Sequence, residues 1–352
     1  MSKIAILQQI IPKYRVSFFN ELNKYLDFEL YSSTKGLEKS IYTITENTNF
    51  KINIVKKFIF MNKFIFQFLP FRELFLRKIV IFEFNIRIFS SVLLLLMRII
   101  FKKKNILWTH GVTENMSIIS KSIRIFFLKR ATKIFVYENA GKNNLIKLGV
   151  ADEMIFVLKN SIDIRQIDKF IDNTQKKNRI TFFGRITKEK NVNLLCKAFL
   201  NILDKIDSTI ILTIIGNGEE LNILKKKFDN SRIKFIGYLA EEEKISYYLN
   251  QTLFTVSPDY LGLAIVHSFS YSVPILVNKY PKQQHSPEIE LLQNNKNGWY
   301  FNGSQKDLEN QIIKFLNKKK ILNQFGSEGL RKIKKEYGVE LMAMRFLQAI
   351  KR

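Results

Sequence analysis

Short apolar runs alternate with longer amphipathic segments along the chain, and this alternation occurs twice. In the first half, a strand is predicted from Lys3 to Gln9, and apolar residues then recur at helical spacing from Val16 to Leu26. The pattern restarts at Arg179 and continues through strands such as Ile210 to Ile215. Alternating strands and helices predict two α/β halves, each with a mainly parallel sheet, and a cleft between them.

Polar residues from Asp163 to Asn178 separate the two halves and predict a linker. At 352 residues the chain is long enough for two hydrophobic cores. Its single cysteine, Cys196, excludes a disulfide framework and suits a reducing compartment. The apolar stretch at the N-terminus ends at Pro12, so it indicates a first strand and not a signal peptide.

The chain carries 57 Lys and Arg against 31 Asp and Glu, a net charge of +26. Such an excess indicates an anionic partner: a nucleic acid, an acidic lipid or a phosphorylated ligand. Biased base composition of the genome is an alternative explanation, because Lys, Asn, Ile and Phe are abundant together. The basic residues are spread along the chain and not gathered in a tail, so we expect no nucleic-acid partner.

Aromatic residues crowd the stretch from Val55 to Phe75, and lysines and arginines interleave with them. Arg98 to Lys104 and Lys121 to Lys133 repeat this pattern. Rings beside positive charge suit the interface of an anionic membrane, although an ordinary core with a wet edge would also produce them. No run reaches the roughly 18 apolar residues of a membrane span, so the expected contact is peripheral.

The stretch from Pro258 to Glu290 carries the strongest chemical signal. Asp259 and the flexible Gly262 precede an apolar run that predicts a buried helix from Leu263 to Tyr271. Because free N–H groups and the helix dipole favour an anion at a helix N-terminus, we predict a phosphate site here. A second loop then adds polar side chains at His285, Ser286 and Glu288.

Three more strand ends of the second half carry candidate ligand contacts. Arg185 and Lys190 lie in the GRITKEKN turn, where two cations can neutralise a diphosphate. The IIGNGEE turn contains Gly216 and Gly218, which let a backbone approach a flat or charged ligand closely. A third strand ends in FIGYL, Phe235 to Leu239, on the same rim.

The first half offers candidates at two strand ends. Tyr14 and Arg15 lie near the start of the first helix, where basic residues suit an anionic ligand; a solvated loop is an equal alternative. His110 follows a strand in WTHG, at the end where catalytic loops of open α/β sheets lie. Together with His267 and His285 it completes the three histidines of the chain. All three fall in such loops or in the predicted phosphate helix, which favours a functional role for at least one.

The second half resembles the C-terminal domain of glycosyltransferase family 4, which has the α/β GT-B fold. The motifs that carry this resemblance are, in order, GR…K, GNG, F.G, D.LGLAIVHS…VP and PE…NGW. The start, IPKYRVSFFNEL, is similar to members that build bacterial surface polysaccharides. The resemblance covers Gly184 to Phe301 and, in the first half, residues 1–26 and 108–111. It implies a Rossmann-like acceptor-binding domain over 1–165, a Rossmann-like nucleotide-sugar domain over 178–335, and a final helix over 336–352 that crosses back to the first domain.

The resemblance also implies roles for single residues. Asp259 matches the first acid of a Glu-x7-Glu motif, which faces the transferred sugar, and His267 matches the second, which binds the ribose. His110 matches a histidine that touches the donor sugar or the acceptor, so Asp259 and His110 are the catalytic candidates. The implied diphosphate contacts are Arg185, Lys190 and the amides of Ala264 and Ile265. The implied sugar contacts are Tyr260, Leu261 and Gly262, and the implied nucleotide contacts are Gly216, Gly218, Tyr238 and Leu239. Further cleft candidates are Tyr14, Arg15, Gly184, His285 and Glu288.

This sequence departs from the family pattern at three positions. Asp259 is shorter than the usual glutamate, His267 is not an acid, and Ser272 stands where glycine is common. We interpret these departures as the mark of a subfamily.

The implied reaction is transfer of a sugar from a UDP- or GDP-sugar, with retention of anomeric configuration, to a lipid-linked or saccharide acceptor. The setting would be synthesis of capsule, O-antigen or lipopolysaccharide on the inner face of the cytoplasmic membrane. No Asp-x-Asp motif is present, so we expect no metal and no cofactor beyond the nucleotide sugar as co-substrate. The sequence carries no signal for an oligomeric state.

Two alternative functions stay open. A sugar-nucleotide epimerase of similar shape would use the same diphosphate contacts, with carboxylates such as Glu83 and Glu138 as acid and base. A non-catalytic nucleic-acid-binding protein would explain the charge but not Asp259 or the HSPE loop.

Overall fold

The computed structural model describes residues 3–35, 43–61, 63–112, 116–172 and 174–351. The chain forms two compact units, one made of residues 1–163 and 337–352, the other of residues 164–336. Among the described residues, no helix is both long and apolar enough to cross a membrane.

The first unit contains fourteen helices and strands up to residue 157 and one at the end of the chain. They are β1 (Ile4–Leu7), α1 (Lys13–Asn23), β2 (Glu29–Ser32), β3 (Lys51–Ile54), β4 (Lys57–Phe60), β5 (Phe64–Gln67), α2 (Phe71–Leu76), β6 (Ile79–Glu83), α3 (Phe89–Ile100), β7 (Lys104–Trp108), α4 (Ile118–Leu128), β8 (Lys133–Val136), α5 (Asn139–Lys147), β9 (Ile155–Val157) and α13 (Val339–Lys351).

Seven strands of this unit form one parallel sheet in the order β3-β2-β1-β6-β7-β8-β9. Helices α1 and α13 pack on one face, and α2, α3, α4 and α5 pack on the other. The buried rings of Phe18, Trp108 and Phe346 meet pairwise at 5.7 to 5.8 Å between centroids. Since burying a large apolar side chain contributes about 2 kcal/mol, this contact holds the last helix in the first core.

The second unit repeats the alternation of strand and helix. Its elements are α6 (Ile164–Asp168), β10 (Arg179–Phe183), α7 (Val192–Leu200), β11 (Ile211–Ile215), α8 (Leu221–Lys227), β12 (Ile233–Gly237), α9 (Glu242–Asn250), β13 (Thr252–Ser257), α10 (Ala264–Ser270), β14 (Ile275–Asn278), β15 (Gly298–Phe301), α11 (Gln305–Leu316) and α12 (Lys319–Glu336). The predicted linker from Asp163 to Asn178 therefore includes a short helix, α6.

The second sheet has six parallel strands in the order β12-β11-β10-β13-β14-β15. The chain moves outward from β10 to β12 and then returns to place β13 on the other side of β10. The first sheet has the same reversal between β1 and β6. Ligands of open α/β sheets bind outside the carboxyl ends of the strands at such a reversal. The topology thus points to the loops that follow β10 and β13, and to those that follow β1 and β6.

Two segments differ from the sequence prediction. The region from Thr34 to Asn53 has no clear pattern, yet it contributes most of the edge strand β3. The aromatic stretch from Val55 to Phe75 contains an antiparallel hairpin, β4 with β5, that was not predicted. Strands β3 and β4 are short and largely solvent-exposed, so no buried face imposes a period on them. Strand β5 alternates half-buried with buried residues, but a period over four residues is too short to identify a strand.

Candidate functional site

The loops after β10 and β13 are joined by a buried lysine. Lys190 ends a short 3-10 helix after β10, and its Nζ donates to the carbonyl oxygens of Tyr260 at 2.9 Å and Leu261 at 2.7 Å. The ammonium also lies 4.4 Å from the centroid of the Tyr260 ring. Lys190 therefore fixes the loop that leads into α10, in addition to placing a cation at the strand reversal.

The charge of Lys190 depends on its surroundings. Burial and, next, the charge of Arg185 lower the pKa of this amine, Glu288, Glu189 and Asp259 act in the opposite direction, and the net pKa is about 7. An anion that approached Lys190 would favour the protonated form as these carboxylates do. Binding of an anion here would therefore be accompanied by uptake of a proton.

Asp259 is buried, and its Oδ1 accepts a hydrogen bond of 2.8 Å from the backbone N–H of Lys282. The side chain thereby connects the loop after β13 with the loop after β14. Asn278, the last residue of β14, reinforces this connection because its Nδ2 donates to the carbonyl of Pro258 at 3.1 Å. Sequence reasoning missed Asn278; a polar residue closing an apolar strand is the signal that identifies it.

His285 has both ring nitrogens engaged. Its Nδ1 accepts from the N–H of Leu261 at 3.1 Å, so the proton lies on Nε2, which donates to the carbonyl of Asn278 at 2.7 Å. Burial lowers the pKa of His285, which keeps the ring neutral as this arrangement requires. His285 therefore positions the loop that contains Leu261, and both of its ring nitrogens are already occupied.

His267 lies in α10 with its ring 4.9 Å from the ring of Phe183, the last residue of β10. Its Nδ1 is buried, and it has no hydrogen-bond partner among the described residues. Burial lowers the pKa of the imidazole, and Glu242 opposes this shift. An unsatisfied ring nitrogen at the strand reversal suits a ligand hydroxyl.

Gly216 and Gly218 make a close contact within the protein that the sequence did not predict. A Cβ on Gly216 would lie 1.8 Å from the carbonyl oxygen of Gly184, and a Cβ on Gly218 would lie 2.3 Å from that of Ile186. The N–H of Ile186 donates to the carbonyl of Asn217 at 2.9 Å, which joins the two loops. These glycines therefore permit close approach of two protein backbones.

The remaining predicted positions of the second unit lie along the same edge. Arg185 is exposed in the loop after β10, and Tyr238 is exposed in the loop after β12. Leu239 is half-buried, and Glu288 is buried in a 3-10 helix after β14. The helix α10 begins at Ala264, so the first-turn amides of Ala264 and Ile265 have no acceptor within the helix.

The first unit places a second polar group at its own strand reversal. Glu83, which ends β6, accepts from the backbone N–H of Gln9 at 2.6 Å. Burial raises the pKa of Glu83, while the Gln9 amide and Arg15 oppose the shift. Sequence reasoning gave Glu83 a role only under an alternative function and missed Gln9. The topology, which brings β1 beside β6, is what joins them.

Arg15 and His110 meet through Tyr137, a residue that sequence reasoning missed. The buried Arg15 guanidinium donates to the Tyr137 hydroxyl at 2.6 Å and lies 4.5 Å from the Trp108 ring and 5.5 Å from the Tyr14 ring. His110 is exposed and lies 4.5 Å from the Tyr137 ring. Burial alone would lower the pKa of Arg15, but the tyrosine hydroxyls raise it, so the cation persists.

No group of three or more His, Cys, Asp or Glu side chains is arranged for a metal ion within the described ranges.

Residues 163–332 match the family model described as Glycosyl transferases group 1. Over 182 residues the chain is 28% identical to "Uncharacterized glycosyltransferase MJ1069" of Methanocaldococcus jannaschii. That match covers 46% of this chain and 46% of the relative, so it spans about half the length of each protein.

Solved structures resemble the whole chain in fold. The structure of Anabaena Alr3699/HepE in complex with UDP has a TM-score of 0.76 at 14% identity, and the alignment covers 100% of both chains. The apo form of the lipopolysaccharide outer core galactosyltransferase WaaB has a TM-score of 0.67 at 14% identity, with 99% of each chain covered. The predicted fold class, two Rossmann-like α/β halves of the GT-B type, is confirmed.

Proposed function

We propose that this chain is a glycosyltransferase that moves a hexosyl group from a nucleotide diphosphate sugar to an acceptor hydroxyl, with retention of configuration. The observation that carries the proposal is the buried Lys190 at the strand reversal of the second sheet. It is linked to the loop over residues 259–262 within the segment that matches the Glycosyl transferases group 1 model. A buried cation of this kind suits a diphosphate leaving group.

The donor diphosphate would bind Lys190 and Arg185, together with the first-turn amides of Ala264 and Ile265. Its negative charge would favour the ammonium form of Lys190, whose pKa of about 7 in the empty site leaves the proton free to exchange. These groups would stabilise the leaving diphosphate without a divalent metal.

The nucleoside and the sugar would lie on either side of that diphosphate. The free Nδ1 of His267 would hydrogen-bond a ribose hydroxyl, and the exposed ring of Tyr238 would contact the base. Asp259 and the loop from Tyr260 to Gly262 would face the transferred sugar. The Anabaena structures contain UDP, UDP with glucose, or UDP-glucose, which supports a UDP-sugar as the donor.

The acceptor would bind the polar group of the first unit. Glu83 and the side chains around Arg15 and Tyr137 offer a carboxylate, a cation and aromatic faces, which together suit a saccharide. His110 would contact the reacting hydroxyl or the donor sugar. The likeness to WaaB supports an acceptor linked to lipopolysaccharide or to another surface glycan.

Peripheral contact with the inner face of the cytoplasmic membrane is part of the proposal. Residues 51–137 contain 17 Lys and Arg but 3 Asp and Glu, so they hold +14 of the net +26. On α3 the exposed apolar residues fall on one helical face: Phe89, Leu93, Leu96, Met97 and Ile100. A basic surface with exposed apolar side chains suits an anionic bilayer.

The test is calorimetric titration of the full chain with UDP, GDP, dTDP and ADP. Micromolar binding of one nucleotide is expected. Arg185→Ala and Lys190→Met should each weaken it by about 2 kcal/mol or more, because a charge-assisted contact is lost. Lys188→Ala, an exposed neighbour in the same turn, should change it less than twofold. A folded protein that binds none of the nucleotides would refute the donor site.

A second assay separates transfer from the alternatives. The nucleotide identified by calorimetry is supplied as its sugar conjugate with a saccharide acceptor, and the product anomer is assigned by NMR with and without EDTA. Retention of configuration and insensitivity to EDTA are expected. Conversion of the sugar nucleotide in the absence of acceptor would instead indicate an epimerase.

A further inference from the structure

A cavity of about 770 Å³ lies in the first unit at the amino-terminal edge of its sheet. Lys3 precedes β1 and Lys78 precedes β6, and these neighbouring strands are parallel. Their carboxyl ends, which carry Gln9 and Glu83, lie at the opposite edge. The cavity is therefore separate from the proposed acceptor group. Its lining residues are Lys3, Pro70, Phe71, Arg72, Glu73, Leu76, Arg77 and Lys78.

The lining is positively charged. Its one carboxylate, Glu73, is engaged by Arg77 and accepts from the Tyr31 hydroxyl at 2.6 Å. Arg77 is itself buried and pairs with Glu29 at 2.8 Å. The exposed cations Lys3, Arg72 and Lys78 remain at the rim, where their charges face solvent. A small anion with several oxygens is the complementary ligand.

An apolar surface adjoins this cationic rim. Leu76 is 66% exposed, and the ring of its neighbour Phe75 packs on Phe101 at 5.2 Å. Phe101 and Ile100 are 63% and 66% exposed, and Lys102 to Lys104 follow directly. Arg98 ties the end of α2 to α3, since it donates to the carbonyl oxygens of Leu74 and Phe75 at 2.8 Å. The cationic rim thus lies next to the apolar end of α3.

We infer that this cavity binds the phosphate headgroup of an anionic glycerophospholipid, with the acyl chains lying along Leu76 and the end of α3. The cationic rim and the apolar surface beside it together fit an amphiphile that carries a phosphate. A free anion or a nucleic acid would leave the apolar surface without a partner. The inference rests on the proposed peripheral membrane contact and adds a specific lipid site to it. The site would anchor the first unit with its amino-terminal sheet edge towards the bilayer.

The experiment titrates the full chain with monomeric dihexanoyl phosphatidylglycerol, and separately with dihexanoyl phosphatidylcholine, glycerol 3-phosphate and a short oligonucleotide. Saturable binding of the anionic lipid at one site is expected, at least about tenfold tighter than that of the other three. The double variant Arg72→Gln, Lys78→Gln should weaken it about tenfold. The matched double variant Lys225→Gln, Lys226→Gln on α8 should leave it unchanged.

Leu76→Gln distinguishes the lipid from its headgroup. This exposed substitution should weaken binding of the phospholipid and leave that of glycerol 3-phosphate as it was. Equal binding of glycerol 3-phosphate or of the oligonucleotide, or equal loss in both double variants, would overturn the inference. UDP binding is measured on the same samples, so failure of the donor site and failure of the lipid site give different results.

Discussion

Lys190 illustrates how one side chain can hold structure at a position proposed for ligand binding. Sequence reasoning identified it, with Arg185, as one of two candidate cations in the GRITKEKN turn, and the structure adds its hydrogen bonds to the carbonyl oxygens of Tyr260 and Leu261. The sequence predicted a positive charge here because a lysine lies in the loop that follows a predicted strand. The bonds could not be predicted, because they depend on β13 returning beside β10, a pairing that local pattern does not encode.

The role of Gly262 also depends on the pairing of β13 with β10, which brings Lys190 beside it. Its φ is +72°, and a Cβ there would lie 2.8 Å from the Nζ of Lys190. Gly262→Ala should therefore lose about 1 kcal/mol or more through backbone strain and also displace the amine, so nucleotide binding falls. Gly237→Ala is the matched control. Its φ is +84°, but a Cβ there meets no atom of the described residues within 4 Å. Urea unfolding and UDP titration should show similar loss of stability in both variants and loss of binding in the first alone.

His285 gives the second unit a pH dependence. Burial lowers the pKa of the folded imidazole below its usual 6.5, so the unfolded chain takes up the proton first as pH falls. The neutral ring of His285 therefore makes its full contribution to stability above about pH 6.5. This contribution is lost as the pH falls through the lower pKa of the ring in the folded state. Buried His267 acts in the same direction.

We expect the free energy of unfolding in urea to fall between pH 7.5 and 5.5. His285→Gln should be about 1 to 2 kcal/mol less stable at pH 7.5, because hydrogen bonds to the Leu261 amide and the Asn278 carbonyl are disturbed, and its pH dependence should be smaller. His110→Gln, at an exposed site, should keep the pH dependence of the original protein. An unchanged slope in His285→Gln would contradict the assignment.

At the scale of elements, the chain order of strands and helices was predicted for most of both units, because buried strands and amphipathic helices impose clear periods. Strands β3 and β4 were missed since they are largely exposed, and β5 was missed since its alternation of burial spans only four residues. The glycines after β11 were predicted to allow close approach to a ligand, and that contact stays a prediction. The structure adds that they allow close approach of the loop after β10, which depends on strand pairing and not on the local sequence.

The joined loops after β10 and β11 make a specific prediction. Gly216→Ala would place a Cβ 1.8 Å from a backbone oxygen, and neither loop can move without breaking the Ile186–Asn217 hydrogen bond. We expect a loss of about 3 kcal/mol in urea unfolding and weaker nucleotide binding. Gly141→Ala in α5 is a control that should change the free energy of unfolding in the opposite direction. Its Cβ would meet Glu138 at an ordinary 3.4 Å, so it should stabilise by up to about 1 kcal/mol. Equal stability of the two variants would show that the loops are not joined as described.

For the whole molecule, the distribution of charge along the chain is the informative feature. Residues 51–137 hold +14 of the net +26 because they contain only 3 of the 31 Asp and Glu, while their 17 Lys and Arg are close to an even share of the 57. The same residues carry exposed apolar side chains on the hairpin, α3 and α4. The membrane contact that the sequence predicted for this combination stays a prediction. Which of these side chains face outward follows from packing of α3 and α4 on one face of the first sheet.

Sedimentation with vesicles tests this surface. The double variant Leu96→Gln, Ile100→Gln removes two apolar side chains from the exposed face of α3, so binding to vesicles that contain phosphatidylglycerol should fall about tenfold. Ile223→Gln, at a 63% exposed position of the second unit, should bind as the original protein does. Raising the salt from 50 to 500 mM should weaken binding in all variants, because the lysine charges are screened. At a fixed salt concentration, affinity for UDP should be the same in all variants, since the proposed donor residues belong to the other unit. Vesicle binding that survives the α3 substitutions but not the salt would show that charge alone holds the protein to the bilayer.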